Sequence, residues 1–179
     1  MIPETMDNSS IELYKCTEFP SKWEFQCNLM SDVKAVDTTL HFQDDKWWMF
    51  TTVLETEGTS SWDELYIYHF RDLFSSDWTA HTQNPVISDC KSARSAGKLF
   101  TEAGVLYRPS QNCSHWYGYG FNLKEVTLLT EEMYEETIVS KIKPNWEKSI
   151  VGTHTFNRCE NLHIIDAIRR RRVKHTFPF

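Results

Sequence analysis

Residues 36–50 read VDTTLHFQDDKWWMF, which is two short, largely apolar segments separated by a polar turn. The aromatic run at residues 47–50 has the length and composition of a buried strand. The three residues before Lys46 are Gln43, Asp44 and Asp45, and this polar triplet could close a tight hairpin. The stretch therefore predicts a β-hairpin, and the organisation of the chain follows from finding the same pattern elsewhere.

The layout recurs in three repeats, which span approximately residues 11–58, 63–112 and 117–168. Each repeat offers a strand with aromatic residues, a strand around a Trp, an inner strand and a hairpin return. Four strands in roughly 50–60 residues is the layout of a β-propeller blade. We predict an all-β fold, with a single propeller-type domain over residues 1–179 and blades of four antiparallel strands. A β-sandwich with coincidental similarity between the repeats is the alternative.

Three blades do not close a ring, because propellers usually have about four to eight. We therefore expect either that upstream blades are missing or that the chain associates, for example as a homodimer.

The third repeat is longer than the other two, and its extra length predicts a short helix. Thr130 is a suitable N-cap residue for this helix. Glu131 and Glu132 would lie at the positive end of its dipole.

The composition narrows the class of protein. The net charge of −6 argues against a nucleic-acid-binding surface, because phosphate contacts need clustered Lys and Arg. The basic run at residues 169–172 is typical of a solvated tail. No stretch approaches the roughly 20 apolar residues of a membrane span, and no signal peptide is visible. The cysteines number five and lack C-x-x-C spacing, so we expect reduced thiols, no metal, no cofactor and a cytoplasmic location.

Polar residues gather on the segments predicted to be inner strands. By repeat register, Asp37, Ala96 and Thr153 are equivalent, and near them lie Thr38, Ser92, Arg94 and His154. These segments should converge on one axis, where a carboxylate, a guanidinium and an imidazole suit a hydroxyl-rich and possibly anionic ligand. The alternative is that the charges pair with one another and only hold the blades together.

Four further residues are candidates for the same site. Arg108 and Gln111 end a strand and could reach the axis, although they could equally belong to a plain loop. Tyr119 could stack on a sugar ring or lie in the core. Glu4 would supply a second carboxylate near Asp37, as glycoside cleavage requires, or would be a surface residue near the N-terminus.

Several segments make the chain resemble five-bladed propellers related to family 43 glycoside hydrolases. The segments that carry this resemblance are residues 2–5 (IPET), 11–14 (IELY), 36–37 (VD) and 44–48 (DDKWW). The chain is more closely similar to the propeller at the N-terminus of plant glucosamine inositolphosphorylceramide transferases, which also occurs beside bacterial formyltransferase-like domains. The residues that carry this closer similarity are 84–86 (NPV), 92–97 (SARSAG), 107–109 (YRP), 111–114 (QNCS), 117–119 (YGY) and 152–155 (GTHT).

The resemblance implies a five-bladed fold and a sugar or glycoconjugate as partner. Family 43 enzymes use an Asp base, an Asp that tunes the pKa of the acid, and a Glu acid. Asp37 matches the tuning Asp, and Glu4 could match a site carboxylate, so these two are the candidate catalytic residues. The base would lie upstream, and Arg94-Ser95-Ala96-Gly97 stands where the acid would be. Both departures count against hydrolysis.

Two functions follow from the sequence. The first is a carbohydrate-binding or carbohydrate-processing propeller with Ser92, Arg94, Arg108, Gln111, Tyr119 and His154 as ligand contacts. The second is a non-catalytic scaffold that accompanies a transferase.

Overall fold

A computed structural model describes residues 1–56, 58–74 and 77–171 as a series of antiparallel sheets. This confirms the predicted all-β class. The last residue of the predicted basic run, Arg172, lies outside the described residues.

The first sheet is the hairpin of β1 (Ser10–Glu18) and β2 (Lys22–Ser31). A 3-10 turn, Met6–Asn8, comes just before it. The N-terminal segment runs along the hairpin, because Met1 and Tyr14 exchange two backbone hydrogen bonds, of 2.6 and 2.9 Å. Residues 1–5 therefore form an additional inner edge on this sheet.

The second sheet contains four strands in sequence order, and β7 (Ile87–Ser88) pairs with the third of them. These strands are β3 (Ala35–Gln43), β4 (Lys46–Val53), β5 (Glu64–Phe70) and β6 (Thr79–Ala80). The turn between β3 and β4 has φ of 53° at Asp44 and 56° at Asp45, values that suit a two-residue hairpin loop. This confirms the hairpin predicted from residues 36–50.

The third sheet also has four strands in sequence order. They are β8 (Phe100–Glu102), β9 (Val105–Asn112), β10 (Gly120–Leu129) and β11 (Tyr134–Ile142). The helix predicted at Thr130 is wrong. Leu129 pairs with Tyr134, and the Thr130 hydroxyl accepts a hydrogen bond from the Met133 amide at 2.9 Å. The side chain closes a hairpin turn here instead of starting a helix, because Thr hydroxyls stabilise turns as readily as N-caps.

Two short antiparallel pairs follow the third sheet. β13 (Phe156–Cys159) pairs with β14 (Leu162–Ile165), and β12 (Ile150–Gly152) pairs with β15 (Ile168–Arg169). Each repeat seen in the sequence takes its first two strands from one sheet and its next strands from the following sheet. The sequence repeats therefore recur with the same period as the sheets, but each repeat begins and ends in the middle of a sheet.

The sheets pack face to face, and β4 shows how. Successive residues of a strand point to opposite faces. Trp48 and Phe50 lie in a buried cluster with Tyr134 of the third sheet and with Leu99, which directly precedes β8. Met49, between them, belongs to a cluster with Ile11 of the first sheet. The second sheet is thus buried on both faces, as a propeller blade is.

The inner edges of successive sheets meet. Phe156 donates a backbone hydrogen bond to Ala96 at 2.8 Å. Gly97 sits at this contact, and a Cβ placed on it would lie 1.9 Å from the Phe156 carbonyl oxygen. Position 97, three residues before β8, must therefore lack a side chain so that this segment can touch the start of β13.

Candidate functional site

An ion pair joins the inner edges of the second and third sheets. Arg94 Nε lies 2.5 Å from Asp37 Oδ2, and the Arg94 side chain is only 10% exposed. The guanidinium also donates from Nη1 to the Ser61 carbonyl and hydroxyl oxygens, at 3.0 and 3.1 Å. Asp37 and Arg94, predicted to converge, are in direct contact.

Gln111 reaches the same carboxylate. Its Nε2 donates to Asp37 Oδ2 at 2.8 Å and to the Ser95 carbonyl at 2.9 Å. The Gln111 residue is 2% exposed. The amide therefore locks Asp37 onto the backbone that carries Arg94 and Ser95.

A β-bulge aims Asp37 at this position. Between Val36 and Thr39 the register with β4 slips by one residue, and Asp37 adopts φ of 50°. Asp tolerates this left-handed region better than most residues. Bulges commonly redirect a side chain next to a functional site.

Glu4 approaches Asp37 from the first sheet. Its Oε2 accepts the backbone N–H of Asp37 at 3.2 Å, and its Oε1 accepts the N–H of Met6 at 3.1 Å. Glu4 thus contacts the backbone of Asp37, and both residues line the same cavity. We call Glu4, Asp37, Arg94 and Gln111 the inner-edge cluster.

Three members of the inner-edge cluster, Glu4, Asp37 and Gln111, line a cavity of about 690 Å³. Its polar lining includes Glu4, Asp37, Ser95, Lys98, Gln111, Thr155 and Asn157, and its apolar lining includes Ile2, Leu13, Leu40, Trp47 and Leu73. The Ser95 hydroxyl is buried and has no hydrogen-bond partner among the described residues. This hydroxyl has almost no accessible surface, so a ligand in the cavity does not reach it in this arrangement.

Aromatic rings lie on the other side of Arg94, on the loops. The Arg94 guanidinium carbon is 4.9 Å from the centre of the Tyr117 ring. Tyr117 stacks on Trp62 with ring centres 6.1 Å apart, and its other neighbour is the His154 ring at 5.3 Å. His154 therefore joins Asp37 and Arg94 through Tyr117, which the sequence singled out only weakly.

Asp166 holds His154 in place. Its Oδ2 lies 2.6 Å from His154 Nδ1, and its Oδ1 accepts the backbone N–H groups of His154 and Thr155, both at 2.7 Å. Partial burial would raise the pKa of Asp166, but these hydrogen bonds and the nearby imidazole lower it below its usual value. Arg169, close to Asp166 in the sequence, bonds Glu147 at 2.6 Å.

Arg108 does not reach the cavity. Its side chain is fully buried and donates to both carboxylate oxygens of Glu136, at 2.7 and 2.8 Å. It also donates to the carbonyls of Ser92 and Ala93, at 2.7 and 3.1 Å. A direct ligand contact by Arg108 is therefore wrong, because its donors are already used inside the protein.

Ser92 and Tyr119 also lie apart from the inner-edge cluster. The Ser92 hydroxyl is 3.4 Å from Asp89 Oδ2, in the turn that precedes Arg94. Tyr119 packs edge-to-face against His115 and Trp116, with ring centres 4.4 and 5.1 Å away. The structure therefore groups Glu4, Asp37, Arg94, Gln111 and His154, and separates Ser92, Arg108 and Tyr119 from them.

The described part of the chain shows no cluster of three or more His, Cys, Asp or Glu side chains placed to hold a metal ion. Its five cysteines are free thiols. Within the same residues, no helix has the length and apolar character needed to cross a membrane.

Two solved structures share this fold. The exo-β-1,3-galactanase of Phanerochaete chrysosporium, determined with β-1,3-galactotriose, aligns with a TM-score of 0.57 at 10% identity, over 91% of this chain and 38% of that one. Bacteroides ovatus xyloglucan PUL GH43B aligns with a TM-score of 0.56 at 13% identity, over 89% of this chain and 31% of that one. At these identities the likeness concerns the fold.

The sequence relatives are plant enzymes. Glucosamine inositolphosphorylceramide transferase 1 of Oryza sativa subsp. japonica is 34% identical over 166 residues, which is 92% of this chain and 22% of the rice protein. The Arabidopsis thaliana protein of that name is 25% identical over 165 residues, or 91% of this chain and 21% of the plant protein. The chain therefore spans about a fifth of the length of these relatives.

A family model described as the N-terminal part of glucosamine inositolphosphorylceramide transferase 1 matches residues 1–173. This confirms the resemblance predicted from the segments around Glu4, Arg94 and His154. With almost the whole chain matched, this protein belongs to the family of glucosamine inositolphosphorylceramide transferase 1 N-terminal domains.

Proposed function

We propose that this domain binds a sugar or glycoconjugate in the cavity beside the inner-edge cluster. The observation that carries the proposal is that two carboxylates, Glu4 and Asp37, line one cavity, with Glu4 Oε2 held by the backbone N–H of Asp37. The name of the family, with its glucosamine and inositol parts, agrees with a carbohydrate context.

The chemistry of the lining suits such a ligand. Sugars present many hydroxyl groups, each of which donates and accepts, so they need carboxylates, amides and hydroxyls at fixed positions. The cavity supplies all three, in Asp37, Asn157 and Thr155. Its apolar wall, which includes Leu40 and Trp47, would cover the C–H face of a sugar ring.

The arrangement favours binding over cleavage. Glycoside cleavage needs one carboxyl group that donates a proton to the leaving oxygen. Both oxygens of Glu4 accept backbone N–H groups, and Asp37 Oδ2 accepts two side-chain donors. Neither residue is therefore placed as a proton donor, and the two act here as hydrogen-bond acceptors for a ligand.

A glycan array followed by titration of each hit tests the proposal. Glu4→Gln and Asp37→Asn should each weaken binding at least tenfold, because each replaces an acceptor oxygen with a donor. Glu24→Gln, on the exposed outer part of β2, is the matched control and should bind like the parent protein. Binding unaffected by either cavity variant would refute the assignment, and release of a shorter sugar would show cleavage instead.

A structural scaffold is the second candidate function. The observation that favours it is the direct pairing of Asp37 with Arg94 across two sheets, which ties the sheets together without any ligand. If this is the whole role of the pair, Asp37→Asn should lower the melting temperature while the array detects no glycan for the parent protein.

A further inference from the structure

The loops next to Arg94 carry aromatic surface that the cavity does not use. Trp116 and Tyr117 are 51% and 41% exposed, although both are large aromatic residues. They lie on the loop between β9 and β10, and Trp62 of the loop between β4 and β5 stacks on Tyr117. Trp62, Trp116 and Tyr117 are called the loop-side aromatic surface below, and none of the three lines the cavity.

The loop-side aromatic surface is held rigidly from beneath. The Arg94 guanidinium lies under the Tyr117 ring and is fixed in turn by Asp37 and Ser61. The next residue, Gly118, has φ of 75°, and a Cβ there would lie 3.4 Å from the His154 ring. Because the Tyr117 ring contacts Arg94, Trp62 and His154, a ligand need not order this ring on binding.

Hydrogen-bonding groups stand at the edge of the rings. Asp166 Oδ2 is 2.6 Å from His154 Nδ1. His154 Nδ1 thus faces Asp166, which leaves Nε2 as the ring nitrogen that Asp166 does not engage. Arg94 carries a positive charge, but Asp37 already neutralises it, so the surface offers no net charge for an anion.

We propose that the loop-side aromatic surface is a second carbohydrate-binding site, separate from the cavity, which takes a neutral sugar ring. A pyranose has a flat C–H face that packs on an aromatic ring and a rim of hydroxyls that bonds groups such as His154 Nε2. Nucleic-acid bases also stack on aromatic rings, but binding of their backbone requires clustered cations. The net charge of −6 disfavours such a partner.

The experiment is a Trp-fluorescence titration with a panel of neutral mono- to hexasaccharides, including galactotriose. Trp116→Ala and Tyr117→Ala should each weaken binding at least tenfold, and Tyr117→Phe should bind within about twofold of the parent because it keeps the ring. Trp146→Ala is the matched control, since Trp146 is similarly exposed at 47% and is not part of the surface. It should leave binding unchanged.

The variants separate the two proposed sites. If Trp116→Ala and Tyr117→Ala bind like the parent while Glu4→Gln does not, the loop-side site is wrong and the cavity stands. If the two aromatic variants lose binding while Glu4→Gln does not, the cavity site is wrong and the loop-side site stands. The loop-side site is also overturned if no saccharide changes the fluorescence, or if a single-stranded oligonucleotide binds more tightly than any sugar.

Discussion

Arg94 Nε and Asp37 Oδ2 are 2.5 Å apart, although the two residues are 57 positions apart in the chain. Their contact joins the inner edges of the second and third sheets. Arg94 is nearly buried, while a third of the Asp37 side chain remains exposed. The pair therefore does two things. It neutralises a guanidinium inside the protein, and it leaves part of the carboxylate free for a ligand.

Asp37→Asn should destabilise the fold modestly. The change removes the charge that compensates Arg94 but keeps the shape of the side chain. Solvent reaches Asp37, so we expect a loss of about 1–2 kcal/mol in the free energy of unfolding, below the cost for a fully buried pair. Urea denaturation measures it, with Asp7→Asn as the exposed control. A loss equal to that of the control would show that the pair does not stabilise the fold.

The sequence predicted this contact because local rules and the repeat pointed the same way. Polar turns such as Asp44-Asp45 mark hairpins through backbone chemistry that needs no knowledge of the fold. Repeat register then places Asp37 and Arg94 on equivalent inner edges, and their opposite charges favour an ion pair between them. The same repeat register predicted that His154 lies near Asp37 and Arg94.

The direction of the Arg108 side chain could not be predicted from the sequence. Arg108 and Gln111 are three residues apart on β9, so their side chains point to opposite faces of the strand. Only the register with β10, which sets Arg108 opposite Lys124, shows that it faces Glu136 and not the cavity. Similarly, the bulge at Asp37 and the turn at Thr130 depend on pairing with distant strands.

Glu136 should make stability fall in acid. Burial alone would raise the pKa of Glu136, but Arg108 and Lys124 lower it to about 2. A lowered folded-state pKa contributes stability that is present above the unfolded value near 4.5 and is lost as pH falls towards about 2. Glu136→Gln removes this term and leaves two cations unpaired, so it should cost about 3–5 kcal/mol at neutral pH.

The measurement is urea denaturation of the parent protein and Glu136→Gln from pH 7 to pH 3. The difference in unfolding free energy between them should shrink as the pH falls through 4.5. Glu24→Gln, an exposed change, should track the parent at every pH. A constant gap for Glu136→Gln across the range would contradict the pairing with Arg108.

Gly97→Ala should separate the segment around Ala96 from the start of β13. The new Cβ would lie 1.9 Å from the Phe156 carbonyl oxygen. The backbone of Phe156 cannot move away without breaking the hydrogen bond from its N–H to the Ala96 carbonyl. We expect a loss of several kcal/mol, beyond the roughly 1–3 kcal/mol of ordinary overpacking. Gly58→Ala is the control, because Gly58 has φ of 87° but no atom within 4 Å of its Cβ position. Thermal unfolding should show a much larger drop in melting temperature for Gly97→Ala, and equal drops would mean that close approach is not what requires glycine.

Asp166→Asn should loosen the segment that carries His154. The carboxylate accepts two backbone N–H groups through Oδ1 and faces the imidazole through Oδ2, and an amide side chain can reproduce only part of this. We expect the amide protons of His154 and Thr155 to exchange about tenfold faster, or more, as local opening becomes easier. Nitrogen chemical shifts of the imidazole should also change, because the carboxylate oxygen that faces Nδ1 is replaced by an amide. Asp7→Asn should change neither reading. Unchanged exchange together with unchanged imidazole shifts in Asp166→Asn would show that Asp166 does not position His154.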